Sequence, residues 1–124
     1  MEMSRPTHKE INRRLKEAKE AASENRISIL SPVSVGADAL ELGLDFENIS
    51  NILIEVLNEI TPEHYVGLFP PQRSYEDQIK HCDLFAFRWS SKRLGCRTYL
   101  KFTIKNKRMW LVSLHEDRKG KKRG

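Results

Sequence analysis

Arg97-Thr98-Tyr99-Leu100-Lys101-Phe102-Thr103-Ile104-Lys105 alternates with a period of two, the period of a β-strand. Thr98, Leu100, Phe102 and Ile104 point one way; Arg97, Tyr99, Lys101, Thr103 and Lys105 point the other. Such a strand belongs to a sheet with one face on a core and the other in solvent. Two more strands flank it, near 82–89 and 109–115. A polar, glycine-containing loop from Ser90 to Cys96 joins the first, and Asn106-Lys107-Arg108 joins the second. Phe85, Phe87 and Trp89 supply the core side of 82–89, which leaves Arg88 on the polar face. In 109–115, Trp110, Val112 and Leu114 read as the core side, with Met109, Leu111, Ser113 and His115 opposite. The two patterns agree if Lys105 and Met109 close a three-residue loop. That register pairs Leu100 with Leu114, Phe102 with Val112, Tyr99 with His115 and Lys101 with Ser113. A two-residue loop at Asn106-Lys107 instead sends His115 to the apolar side, because a one-residue slip exchanges the faces.

Upstream the period is helical. Residues 7–24 read as a helix, with Thr7 and Glu10 as a capping box and Ile11, Leu15, Ala18 and Ala22 as a narrow apolar stripe. Glu10/Arg14, Arg13/Glu17 and Lys16/Glu20 are i,i+4 ion pairs on its wet side. Residues 26–30 form a short strand or an extended link, ended by Ser31-Pro32. A short helix spans about 34–42 and stops at Gly43. Asp45 then caps the strongest helix, 46–60, whose Phe46, Ile49, Ile52, Leu53, Val56, Leu57 and Ile60 make a broad buried face. Its other face is acidic, suited either to solvent or to a basic partner. A strand is possible at Tyr65–Phe69 before the Pro70-Pro71 break, and a loop or short helix follows through Lys80.

With 124 residues the chain holds one core. The reading is one α+β domain over 1–117, its N-terminal helices packed on one face of a C-terminal antiparallel β-sheet, with a basic disordered tail at 118–124. No apolar run approaches a membrane span, and Met1–Pro6 lacks a signal-peptide core, which points to a cytoplasmic setting. Two cysteines make no disulfide scaffold, and Cys82 and Cys96 fall too far apart in the predicted hairpin to bridge. His8, His64 and His81 show no ligand spacing, so neither metal nor cofactor is expected. Trp89 and Trp110 read as core packing, whereas Tyr99 is open for base stacking.

The charge is uneven. The overall balance is +5, but residues 81–124 carry 13 Lys/Arg against three acids, and residues 1–80 carry 9 against 14. Between Arg26 and Arg73 there is no Lys or Arg. The C-terminal half, at +10, suits a polyanion or is a solvated basic face. Its sheet gathers Arg88, Arg97, Tyr99, Lys101 and His115 on one side. Cleaving RNA without a metal needs a base for the 2′-hydroxyl, an acid for the leaving oxygen and cations for the phosphorane charge. Histidine titrates near neutrality and arginine forks onto phosphate oxygens. His115, Tyr99 and Lys101 are therefore the candidate catalytic residues, and Arg88, Arg97 and Lys105 the candidate phosphate ligands. The same residues also suit a solvated face with a satisfied surface histidine.

Glu41-Leu42-Gly43-Leu44-Asp45-Phe46, Ser74-Tyr75-Glu76-Asp77, Tyr99-Leu100-Lys101-Phe102-Thr103 and Val112-Ser113-Leu114-His115-Glu116, in that order, resemble the MqsR toxins. These are RelE-like mRNA interferases of bacterial type II toxin–antitoxin systems. The similarity runs from about residue 38 to 116, with extra residues near Pro70-Pro71 and in the 90–96 loop. The resemblance implies a RelE-like fold and a metal-independent endoribonuclease held inactive by a cognate antitoxin, with mRNA as substrate and the ribosome as a possible further partner. It carries the family's catalytic tyrosine onto Tyr99 and the basic residue ending its last strand onto His115, where this chain has His in place of Lys. Two family positions depart: its Lys falls on Val66 and its Gln on Cys82, leaving Arg88 or Arg97 to supply the missing charge. A non-catalytic basic RNA-binding module of the same fold is the alternative.

Overall fold

Asn106 and Lys107 both adopt positive φ, 54° and 64°, the geometry of a two-residue hairpin turn whose twist matches that of the flanking strands. In the computed structural model, which describes residues 8–68 and 71–117 apart from the Phe46 side chain, this turn joins β3 (Cys96–Lys105) to β4 (Arg108–Glu116). The expected three-residue loop is thus replaced by a tighter one, with Lys105 opposite Arg108. Met109 and Leu111, fully buried, take the core side of β4, and Trp110 and Val112 do not. A β-bulge then restores the phase. Lys101 pairs with Ser113 and the next residue, Phe102, pairs with Leu111, so Val112 is the extra residue. Beyond the bulge Leu114 faces the core and His115 the outer side, and the pairs Tyr99↔His115, Lys101↔Ser113 and Leu100↔Leu114 form as the sequence suggests.

β2 (Phe85–Ser91) pairs antiparallel with β3. At the other edge β1 (Ile27–Ile29) runs parallel to β4, giving the order β1-β4-β3-β2. The sheet is therefore mixed, not antiparallel, because residues 26–30 form a true strand. Arg26 and Leu30 frame it through backbone bonds to Met109 and Leu111. Tyr65 makes only an isolated bridge to Phe87 in place of the expected strand.

The helices are α1 (His8–Ser23), α2 (Pro32–Glu41) and α3 (Ile49–Leu57). α1 ends on Asn25 at φ 60°, with Arg26 N–H donating to Ala21 O. Gly43 at φ 75° ends α2, where Leu44 N–H donates to Ala39 O and Gly43 N–H to Leu40 O. Both stops use a left-handed residue to satisfy the last carbonyls. Asp45 Oδ1 accepts the Glu47 N–H at 3.0 Å on the 3-10 turn Phe46–Asn48 that leads into α3. α3 is shorter than the predicted 46–60 because its ends tighten. Arg14 on α1 pairs with Glu17, three residues on, at 2.8 Å. One core unites Ile11, Leu15 and Ala18 of α1, Val35 and Ala39 of α2, and Leu53, Val56 and Leu57 of α3 with Phe85, Phe87, Leu100, Phe102, Met109, Leu111 and Leu114. All three helices thus cover one face of the sheet, an α+β arrangement, and Arg88, Tyr99 and His115 lie on the opposite face. The Thr7 cap, the Met1–Pro6 segment, Phe69, Pro70 and the 118–124 tail lie outside the described residues.

Candidate active site on the outer face of the sheet

Residues directly opposite in neighbouring strands share a face, so the outer face is organised in rows. Arg88, Tyr99 and His115 form one row across β2, β3 and β4. The Tyr99 and His115 rings stack, with centroids 5.2 Å apart and an interplanar angle of 26°. The Arg88 guanidinium lies over the other side of Tyr99, 5.4 Å from its centroid. Burial raises the Tyr99 phenol above its ordinary pKa, and the Arg88 charge opposes that rise without cancelling it. At neutral pH the phenol therefore keeps its proton and acts as a donor. His115 Nδ1 lies 2.8 Å from the Glu116 carbonyl, which can only accept, so Nδ1 carries a proton. In the neutral ring Nε2 is then the lone-pair nitrogen, available as a base.

The next row holds Ser90 and Arg97, with Asp117 beside them as its backbone N–H donates to Arg97 O at 2.8 Å. The Asp117 side chain, 8% exposed, sits between two cations: Arg88 Nε is 2.9 Å and Arg97 Nε 3.5 Å from its Oδ2. The shorter contact has the separation of an ion pair, but the N–H does not point at the oxygen, and Arg88 Nε is left buried without a hydrogen-bond acceptor. On the other side of the Tyr99 row, Lys101 stands half-buried between Ala86 and Ser113.

Lys105 does not belong with these groups. It lies six residues from Tyr99, about 20 Å along an extended strand, and its Nζ donates to Gln78 O at 2.6 Å. Thr103 Oγ1 donates to Asp83 O at 2.5 Å. The segment Gln72–Leu84, tied to itself by Ser74 N–H to Cys82 O and His81 N–H to Ser74 O, thus engages the turn end of β3. Tyr65 is also a packing element. Its ring meets Phe87 edge-on at 5.7 Å, and its hydroxyl donates to Leu68 O at 2.7 Å. Burial first, then the charges of Asp83 and Glu10, push its phenol up to about 12. Gly67 makes room for it, since a Cβ there would stand 2.5 Å from the Tyr65 hydroxyl.

Sequence reasoning missed two residues. Asp117 was counted only as a charge, although its place two residues beyond His115 puts it on the same face. Trp110 was assigned to the core. It pairs with Thr103 and Ser28 and is half-buried on the outer face, where it offers an aromatic platform. Two acids of the predicted 46–60 helix are engaged within the molecule: Glu59, just past the end of α3, accepts from Trp89 and Ser91, and Glu55 on α3 pairs with Arg93. Cys82 and Cys96 are free thiols. Among the described residues no group of three or more His, Cys, Asp or Glu is placed to hold a metal ion, and no helix is long and apolar enough to cross a membrane. Neither family models nor curated proteins give a match to this chain.

Proposed function

We propose that this protein is a metal-independent RNA endonuclease, a RelE-like toxin of a type II toxin–antitoxin system, acting on mRNA in the cytoplasm and restrained by a cognate antitoxin. The observation that carries the reading is the row Arg88–Tyr99–His115, in which a protonated phenol stacks on an imidazole and lies under a guanidinium on the sheet face away from the helices. His115 Nε2 takes the proton of the ribose 2′-hydroxyl, and the oxygen attacks the adjacent phosphorus. The bond to the 5′-oxygen breaks, and Tyr99 supplies the proton that this oxygen needs, leaving a 2′,3′-cyclic phosphate and a 5′-hydroxyl. Lys101 stabilises the charge on the phosphorane oxygens, and Arg88 and Arg97 bind a neighbouring phosphate. Trp110 gives an unpaired base a surface to stack on.

The test is cleavage of a long mixed-sequence RNA in EDTA by the wild type, His115→Ala and Tyr99→Ala, with folding of each checked. The expected result is cutting that falls in both variants by about 10²–10⁴, the usual worth of a positioned acid or base. Equal cutting by all three proteins rules out this row. Asp117, already seated between Arg88 and Arg97, favours a second reading, a basic RNA-binding module of the same fold without chemistry. The losses at Val66 and Cys82 point the same way. Folded wild type that binds RNA but leaves it intact, with or without ribosomes, selects that reading.

A further inference from the structure

Arg88 and Arg97 belong to adjacent rows of the sheet, and among the described residues the carboxylate of Asp117 lies between them. An anion held by two guanidiniums is the arrangement in which arginine binds phosphate. The fit is incomplete: the carboxylate has the right charge and position, yet the Arg88 Nε–H finds no aligned acceptor. A phosphate offers more acceptor oxygens in tetrahedral array and can meet both guanidiniums along their N–H directions. Rows on one face of a strand are about 7 Å apart, so a phosphate here is the neighbour of the one held beside Tyr99 and His115. Lys101 occupies the corresponding place one row on the other side. The cations thus follow β3 in the order Arg97, Arg88, Lys101, and a single strand laid along β3 meets one of them at each row.

We infer that the Arg88–Arg97 pair is a phosphate subsite adjacent to the cutting position, that Asp117 is its resident occupant, and that single-stranded RNA binds by displacing this carboxylate. The inference rests on the ribonuclease reading for which phosphate is cut, but not for the subsite itself. It assigns the substrate class as a polynucleotide that spans at least two consecutive phosphates. Asp117 gates that class: a ligand with a single phosphate fills the Tyr99 row and leaves the carboxylate in place.

The experiment uses a fluorescent single-stranded hexadeoxynucleotide, which has no 2′-hydroxyl and cannot be cut, titrated against the full chain over a series of salt concentrations. Asp117→Asn should bind it roughly five- to tenfold more tightly, since a carboxylate that must be displaced has been removed. The slope of log affinity against log salt should stay at the wild-type value, because both complexes make the same phosphate contacts, and should change by roughly 0.7 only where a contact to a single strand is removed. Arg97→Ala, at a side chain 57% exposed and therefore tolerant of change, should weaken binding and flatten the slope by a similar amount. A dinucleoside monophosphate, followed by the NMR shifts of the His115 ring, should bind Asp117→Asn and wild type alike. Unchanged or weaker hexamer binding by Asp117→Asn overturns the inference and makes Asp117 a positioning group for Arg88. If Asp117→Asn fails to fold, an Arg97→Ala protein that binds the hexamer as wild type does overturns it equally. Parallel RNA cleavage by the wild type keeps the two readings apart. Cutting without the Asp117 effect sinks the subsite alone, the effect without cutting sinks the nuclease alone, and a wild type that does neither sinks both.

Discussion

Two carboxylates sit on opposite sides of the same sheet, and each gathers donors from β2 and its surroundings in a different way. Glu59, on the helix side, accepts from Trp89 Nε1 at 2.8 Å and Ser91 Oγ at 2.7 Å through one oxygen, and from the Arg93 N–H at 2.8 Å through the other. Those donors are neutral, fixed in the fold and well aligned. Asp117, on the outer side, faces two side-chain cations, one with its N–H misdirected. A carboxylate surrounded by aligned neutral donors is a structural clamp, since every donor would be costly to leave unmade. A carboxylate between two side-chain guanidiniums, one of them poorly aligned, is the kind that another anion can replace. The contrast separates the part of the molecule that holds shape from the part proposed to bind RNA.

Substitutions on the two sides should therefore move different observables. The largest effect is expected at the proposed catalytic row. His115→Ala should lower RNA cutting by about 10²–10⁴ and leave the melting temperature within a degree or two of wild type, because the ring is half-buried and Nδ1 bonds only locally, to the carbonyl of the next residue. The converse change, Glu59→Ala, leaves the buried indole N–H and Ser91 hydroxyl without their acceptor and frees the loop from Ser91 to Gly95. It should cost about 1–3 kcal/mol of stability, read by denaturant unfolding, while the purified folded fraction cuts RNA at the wild-type rate. If Glu59→Ala abolishes cutting in protein that remains folded, the division between the two faces is wrong.

That division was only partly legible in the sequence. Period-two alternation in β3 and period-3.6 runs in the helices are strong local signals, and they located the layers, the face carrying Tyr99 and the pairing of Tyr99 with His115. The register of β4 depended on two features that cancel. The two-residue turn at Asn106-Lys107 moves Met109 and Leu111 into the core, and the bulge at Val112 returns Leu114 and His115 to the phase expected from a longer loop. A bulge has no composition signal of its own when the extra residue is valine, so Trp110 was placed on the wrong side. β1 was ambiguous because three residues cannot declare a strand until a partner edge exists. Lys105 alternated correctly, yet alternation says nothing about which stretch of an outer face a distant loop engages, and the carbonyl of Gln78 takes this lysine. The clamps of Glu59 and Asp117 join residues about 20 to 30 apart along the chain and carried no local pattern at all.

Trp110 gives an intermediate test of the outer face. As an aromatic platform it should contribute about 1–3 kcal/mol per stacked base. Trp110→Ala should then weaken hexamer binding by roughly five- to a hundredfold, and Trp110→Phe should recover most of it. The comparison matters because Trp89, its counterpart on the inner face, is 2% exposed and bonded to Glu59. Trp89→Phe should alter stability with no direct effect on the affinity of the folded protein. A Trp110→Ala protein that melts early and binds normally would return Trp110 to a packing role.

The smallest effect is in acid, and its sign follows from the Glu59 environment. Burial by itself would raise this carboxyl's pKa, but the hydrogen bonds from Trp89, Ser91, Arg93 and Lys92 outweigh it, and the folded-state value lies below the ordinary one. A depressed folded pKa means that the folded state binds fewer protons than the unfolded chain as pH drops. The clamp's contribution is therefore complete above the unfolded carboxylate range, near pH 4.3, and is lost as pH falls through the lower folded value. Glu59→Gln keeps the shape of the side chain and cannot ionise, but its amide turns two further N–H groups toward donors. Wild type should be the more stable at neutral pH, and the gap in melting temperature should be constant from pH 7 to about pH 5 and narrow below pH 4. A gap that stays constant through pH 3 would mean that Glu59 acts only by shape, and that charge does not distinguish the inner clamp from the outer one.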